Sequence, residues 1–426
     1  MNGPKRAEVV SVGTELLLGQ ITDTNATDIC QRFAECGIPV YFRQTVGDNL
    51  ERVQEAFRLA WSRAELVVFT GGLGPTEDDL TKEAVASALG VELVEDPESL
   101  VHLQQFFARR GRTMTPNQRR QALIPRGARA IPNRWGTAPG VFWEVDGHVV
   151  IMVPGVPREM RGMLDEFVIP ELRTRGWVGE EVIRSRVLRA VGIGEGHLEE
   201  LIRDLLRTTN PTVAPLAHVG EVHLRITARG TPEHTQHLLD ETERQLRERL
   251  GDAVYGVDGE TLDEVVARLL RSSGLRVAVA ESCTGGLVGE RLTSTPGSSA
   301  YFLGGVVAYG NDAKRALLGV PQDLLETFGA VSAEVAEAMA KGARVAFGAD
   351  LGLAVTGVAG PTGGTEGKPV GRVFLALADP QGMRSVRADF GQEPGREGVR
   401  RLASQAALNL LRRYLLERQS GGHTPV

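Results

Sequence analysis

The stretch ELVVFTGG (65–72), continued by LGPTEDDLTKEA (73–84), reads as a strand entering a glycine-rich turn that opens into a helix ending near Gly90. The same order stands upstream, where AEVVSVG (7–13) has the apolar run of a buried parallel strand and Thr24 to Gly37 reads as a helix closed by glycine. A further helix runs through ERVQEAFRLAWSRA (51–64). Downstream, VFWEV and HVVIMVPG flank Asp146-Gly147, the dipeptide of a two-residue hairpin. The helix PREMRGMLDEFVIPEL, with Pro157 in its first turn, closes this segment near residue 172. Strands alternating with helices predict a doubly wound α/β domain over 1–172, a parallel sheet with helices on both faces.

Residues 173–258 change character. A strand-like IRSRVLRAVG, a second strand EVHLRITARG and a long helix pattern from Pro232 to Gly251 predict a small α+β connector. Along Thr235–Leu250 the leucines Leu238, Leu239, Leu246 and Leu250 are spaced to share a face. The expected work of this segment is spacing, docking or self-association, and a homodimer is the expected assembly. A second α/β unit occupies 259–420. Helix ETLDEVVARLLRSSG leads to strand LRVAVAES, and strands GGVVAYG, LGLAVTG, GRVFLALADP and MRSVRADFG follow with helices between and after them.

Composition narrows the function classes. The chain has 426 residues, 42% apolar and 24% charged, which suits two or three domains with real cores. There is no run long and apolar enough for a transmembrane helix, and MNGPKRAEVVSVG lacks the apolar core and cleavage site of a signal peptide, so a cytoplasmic protein is expected. Three cysteines, Cys30, Cys36 and Cys283, make no CxxC pair or disulfide framework, and the histidines have no zinc-ligand spacing. A net charge of −6 is the wrong sign for a nucleic-acid binder, and the arginines at 109, 110, 112, 119 and 120 read as solvated faces.

Three features of the last segment carry chemistry. Glu281-Ser282-Cys283-Thr284-Gly285-Gly286 lies between a strand and a helix, where glycines let backbone N–H groups approach an anion. Ser298 and Ser299 are followed by Tyr309 and Lys314. With no Ser/His/Asp set in view, a lysine whose pKa is lowered by burial is a base available to a serine. On spacing alone the serines equally suit helix N-caps, and Lys314 the exposed face of an amphipathic helix. The glycine-rich loop Thr356–Gly364 follows a strand's C-terminal end, where α/β sheets place ligands, although a lid has the same composition. In the first segment, Glu15 and Asp23 follow one strand, and Gly71, Gly72, Thr76, Asp78 and Asp79 follow another. Glycines and carboxylates in that arrangement suit a pyrophosphate with a divalent metal, and they equally suit a helix cap with acids at the dipole's positive end.

Residues 280–400 resemble the C-terminal domain of the CinA family, the nicotinamide mononucleotide deamidases. AESCTGG, PGSSAYFLGGVVAYGNDAK, GAVS, TGVAGPTGG with KPVG, and GREGVR occur in that order. The resemblance implies hydrolysis of the nicotinamide amide to the carboxylate with release of ammonia, without a cofactor. It puts the nucleophile at Ser299, with Ser298 as a rival, and the general base at Lys314. Ser282 and Tyr309 fall in the supporting hydrogen-bond network, and Thr356 faces substrate. Arg396 or Arg400 falls where a phosphate-binding or catalytic arginine belongs, and Gly285, Gly286, Gly357 and Gly360 lie against the substrate.

The first segment resembles the CinA N-terminal domain, similar in fold to molybdopterin-binding domains, through GTELLLGQITDTNA, VGDN, TGGLGPTEDDLT and VPGVPREM. That resemblance implies an ADP-ribose pyrophosphatase using a divalent ion of the magnesium or cobalt kind. Glu15, Asp23, Asp78 and Asp79 are its metal candidates, Gly71, Gly72, Thr76 and Asn25 its substrate contacts. Asn133–Gly140 shapes the same pocket, with Trp135 placed to stack on a base. Two alternatives stay open: a domain that binds or adenylylates molybdopterin, and a competence or recombination partner with degenerate sites.

Overall fold

A computed structural model of the chain describes residues 5–421. Met1–Pro4, the start of the stretch read against a signal peptide, lies outside the described residues. By spatial contact the chain divides into two units, residues 1–184 with 228–238, and residues 185–227 with 239–426.

In the first unit, β1 (Ala7–Val12), β2 (Val40–Val46) and β3 (Leu66–Thr70) precede a separate ribbon of β4 (Leu93–Glu95) and β5 (Leu123–Pro125). Then come β6 (Arg129–Ile131), β7 (Gly140–Val145) and β8 (His148–Val153), and the main sheet has the order β2-β1-β3-β8-β7-β6. It is mixed rather than wholly parallel. β1, β2, β3 and β8 run together, while the Asp146-Gly147 turn reverses the chain so that β7 pairs antiparallel with β8. Both turn residues take the left-handed conformation such a hairpin requires, φ 47° and 79°. Period-two alternation divides the strands between two cores. Val9, Val68 and Ile151 face one side with Phe33 and Met160, while Val10, Val67 and Val150 face the other with Phe57 and Val85. Helices therefore cover both faces, as expected.

The middle sheet comprises β9 (Val182–Val191), β10 (Thr212–His218), β11 (Glu221–Gly230) and β12 (Val254–Val257), in the order β10-β11-β9-β12. The long helix spans Pro232–Leu250. Its buried stripe is Thr235, Leu239, Thr242, Leu246 and Leu250. Leu238 is only half-buried, because helical rotation carries it about 100° from Leu239.

Within the second unit, β13 (Val277–Glu281), β14 (Phe302–Val307), β15 (Leu351–Gly357), β16 (Arg372–Ala378) and β17 (Met383–Asp389) form a sheet in the order β14-β13-β15-β16-β17. The first three are parallel, and β16 and β17 return antiparallel. Val277, Val279 and Leu353 pack with helices Leu262–Ser273, Leu287–Thr293 and Gly395–Gln419. Ala278, Ala280 and Ala354 face helices Asn311–Leu318 and Ala333–Phe347. The small residues permit a close approach, since a Cβ on Gly352 would stand 2.0 Å from Ala340 O. The connections leaving β13 and β14 thus pass over opposite faces, which opens a crevice at the C-terminal ends of β13 and β15.

Candidate functional site

That crevice holds a serine and a lysine from separate connections. Ser282 follows β13 directly, and Lys314 projects from the helix Asn311–Leu318 beyond β14. Lys314 is 1% exposed, and its Nζ donates to Ser282 Oγ at 3.1 Å, Ala308 O at 2.8 Å and Tyr309 O at 3.2 Å. No carboxylate is among these partners, and burial pushes the ammonium pKa below its ordinary value. An exposed lysine on an amphipathic face is excluded. Next door, burial pushes the Cys283 thiol up to about 11, so it stays protonated at neutral pH.

Ser299 is not among Lys314's partners. It lies exposed in the short turn Ser298–Ala300, and the half-buried Ser298 does not reach Lys314 either. The expectation that either serine pairs with Lys314 is corrected in favour of Ser282. The reason is topological: the end of β13 and the helix after β14 meet in the crevice, whereas residues 298–300 precede β14 at its opposite end. The anion-binding expectation for Gly285 and Gly286 also changes. Glu281, 1% exposed, accepts from the N–H groups of Gly286, Val288 and Gly289 at 3.0, 3.1 and 2.8 Å. Gly285 N donates to Ser282 O. This helix N-terminus is already capped by a carboxylate, and the glycines serve the turn through left-handed φ of 62° and 99°.

The remaining members surround the pair. Thr356 is buried on β15 and donates to Ala330 O at 2.7 Å. Arg400 holds the turn after the serine by donating to Thr284 O at 2.8 Å. Arg396 is exposed and joins Gly360 O to the Tyr309 hydroxyl, both at 2.8 Å. Gly357 ends β15, and Gly360 begins the loop that Arg396 ties down.

In the first unit a cavity of about 400 Å³ opens at the ends of β1, β3 and β8. Glu15, Asp78, Asp79, Gly71, Gly72 and Thr76 all line it. Asp48 and Glu159, passed over in the sequence although they lie within VGDN and VPGVPREM, line it too. Asp23 does not. Its Oδ1 caps a helix through Ala26 N at 2.9 Å, and its Oδ2 accepts from Ser11 Oγ at 2.6 Å and pairs with Arg43. Asn25 is buried behind the wall, donating to Thr70 Oγ1 and Gly155 O. Trp135 faces Gly162, whose Cβ would fall 2.2 Å from the indole, so it packs in the core rather than on a ligand. Thr137 and Ala138 supply that segment's share of the wall.

The donor set of this cavity is carboxylate oxygen, which suits a hard divalent cation. Asp79 already accepts from Thr76 N at 2.9 Å and Thr76 Oγ1 at 2.5 Å. Among the described residues no three His, Cys, Asp or Glu side chains are grouped to hold an ion by themselves. The residues therefore fit an ion of the magnesium kind, which takes one or two carboxylates and completes its shell with substrate phosphates and water. They do not form a resident all-protein cage.

Three family descriptions match successive parts of the chain: a probable molybdopterin binding domain over residues 8–174, the damage-inducible protein CinA KH domain over 185–256, and the CinA C-terminal domain over 259–415. A CinA-like protein of Nostoc punctiforme is 49% identical over 415 residues, 97% of this chain and 100% of the relative. A putative competence-damage inducible protein of Moorella thermoacetica is 50% identical over 413 residues, 96% of this chain and 99% of its own. The crystal structure of the competence/damage inducible protein CihA from Agrobacterium tumefaciens is 42% identical, covering 37% of this chain and 97% of that one with a TM-score of 0.35. With near-complete coverage at about half identity by those full-length relatives, the chain belongs to the CinA family.

Proposed function

We propose that the second unit is an amide hydrolase acting on nicotinamide mononucleotide, with Ser282 as nucleophile and Lys314 as general base. The observation that carries this reading is the contact of a buried lysine, unpaired with any carboxylate, with the hydroxyl of Ser282. A lysine in that setting yields its proton readily and, once neutral, accepts the serine's. Ser282 Oγ attacks the amide carbonyl carbon while Lys314 Nζ takes the hydroxyl proton. Lys314 returns that proton to the departing nitrogen, which leaves as ammonia, and an ester on Ser282 remains. Water then attacks the ester, Lys314 takes its proton and restores it to Ser282 Oγ, and the carboxylate is released. The N–H groups of Cys283 and Thr284, which follow the nucleophile and face the Cys283 sulfur, are the donors nearest in the chain for the developing oxyanion. Arg396, exposed at the mouth, is the cation available to the substrate phosphate.

The first unit is read as a pyrophosphatase for ADP-ribose. Its carboxylates Glu15, Asp48, Asp78 and Glu159 would hold the divalent ion, which supplies charge neutralisation of the phosphates when bound. The left-handed turn at Gly71 and Gly72 brings main chain to the cavity without side chains in the way. Direct nucleic-acid binding is disfavoured: within residues 185–256 no two glycines stand three apart, so the Gly-x-x-Gly loop with which KH modules clamp nucleotides is missing. Incubating the purified protein separately with nicotinamide mononucleotide, ADP-ribose and molybdopterin, with and without divalent metal, tests the whole assignment. Nicotinate mononucleotide plus ammonia, and AMP plus ribose 5-phosphate, are the expected products.

A further inference from the structure

The cavity of the first unit has a neutral feature amid its acids. Gln121 lines it yet is only 2% exposed, and its Oε1 is buried with no hydrogen-bond partner. The amide oxygen is thus the orphaned end of this carboxamide. The main chain beneath is clamped, since the buried Lys82 Nζ donates to Gln121 O at 2.9 Å and to Arg120 O at 3.4 Å. A buried amide oxygen with no internal partner carries a desolvation cost that a ligand donating to it would recover.

The wall decides which groups those are. No lysine or arginine lines the cavity, and ionised Glu15, Asp48, Asp78, Asp79 and Glu159 only accept hydrogen bonds. The Thr76 hydroxyl is engaged by Asp79, and Thr137 offers a single atom. Only a carboxamide combines donor and acceptor in one plane, the pattern that matches an exocyclic amine beside a ring nitrogen. We propose that Gln121 is the specificity-determining residue of this cavity, reading the amino-bearing edge of the adenine of a nucleoside diphosphate sugar. The phosphates then lie toward the Gly71-Gly72 turn and the acids. This inference rests on the pyrophosphatase reading of the same cavity.

The test compares the full chain with its Gln121→Ala and Gln121→Leu variants, the second preserving bulk if the first lets the wall collapse. Hydrolysis of ADP-ribose and of its hypoxanthine counterpart is measured with magnesium, and binding of AMP and IMP is measured by calorimetry. The native chain should prefer the adenine member of each pair by about tenfold, the worth of one buried hydrogen bond. Both variants should lose that preference to within about twofold, through KM more than kcat. Adenine preference without hydrolysis would remove the pyrophosphatase reading and leave the role of Gln121 standing. Equal binding of AMP and IMP by the native chain, binding of neither, or an undiminished preference in folded variants would overturn the proposal.

Discussion

Lys314 Nζ stands 3.1 Å from Ser282 Oγ, across thirty-two positions of sequence and two connections that leave the sheet on opposite faces. The contact exists because β13 is flanked by parallel strands on both sides, so that the turn after it and the helix after β14 end at the same crevice. Burial of the amine supplies the chemistry, and topology supplies the partner.

The pH dependence of deamidation follows from that burial. Lys314 must be neutral to accept the Ser282 proton, and its pKa is lowered by desolvation from the ordinary value of 10.5. Initial rates should therefore rise with pH and level off at a midpoint below 10.5. Lys314→Ala should lower kcat by ~10²–10⁴. Lys314→Arg should be as inactive, because a guanidinium does not give up its proton at working pH. A flat profile for the native protein, after correction for stability, would argue against a lysine base.

Glu281 gives a stability prediction tied to the same turn. Its carboxylate accepts three N–H groups at the start of the helix Leu287–Thr293. Gln in its place keeps the shape but loses the charge and turns one acceptor into a donor aimed at donors. Glu281→Gln should cost about 2–3 kcal/mol in denaturant unfolding and reduce deamidation by displacing Ser282. Unchanged stability would mean the cap is not what holds the turn.

Lys82 makes a separate prediction for the first unit. Burial lowers its pKa from 10.5 to about 8, so the unfolded chain binds this proton more tightly than the folded one. The resulting penalty is fully present below the folded value and is relieved as pH rises through the window from 8 to 10.5. Between those limits the native protein should gain about 3 kcal/mol relative to Lys82→Met, read from chemical denaturation of each. A pH dependence identical in both proteins would contradict the burial argument.

Metal dependence should divide between the units. A chelator should silence ADP-ribose cleavage and spare deamidation, since five carboxylates line the first cavity while no carboxylate is among the hydrogen-bond partners of Lys314. Asp78→Asn should weaken pyrophosphatase activity strongly. Asp23→Asn should leave it nearly unchanged, because asparagine caps the helix equally well. Loss of both activities on chelation, with the protein still folded, would contradict the division.

Much of the fold was legible because it is written locally. The hairpin at Asp146-Gly147, the helix pattern ETLDEVVARLLRSSG, and the apolar runs of β1, β3, β13 and β15 each announce an element within a few residues. At the candidate site, the sequence named both Ser282 and Lys314 but not the contact between them. Ser299 and Lys314 are near in sequence but stand on either side of β14, which carries the chain from one end of the sheet to the other between them. Ser282 is more distant in sequence and reaches Lys314 through parallel strand order, which no local pattern records. Asp23 shows the same limit, since a carboxylate at a helix start signals a cap and a metal ligand alike. Gln121 had no sequence signal, because its significance lies in the partner it lacks.

The most direct measurement compares ammonia release from nicotinamide mononucleotide by the native protein, Ser282→Ala and Ser299→Ala, with folding of each verified by thermal melting. Ser282→Ala should fall to background, whereas Ser299→Ala should keep kcat within about tenfold of native, since Ser299 is not among the partners of Lys314. Background turnover in Ser299→Ala, with near-native turnover in a folded Ser282→Ala, would contradict the pairing of Ser282 with Lys314 as the catalytic unit.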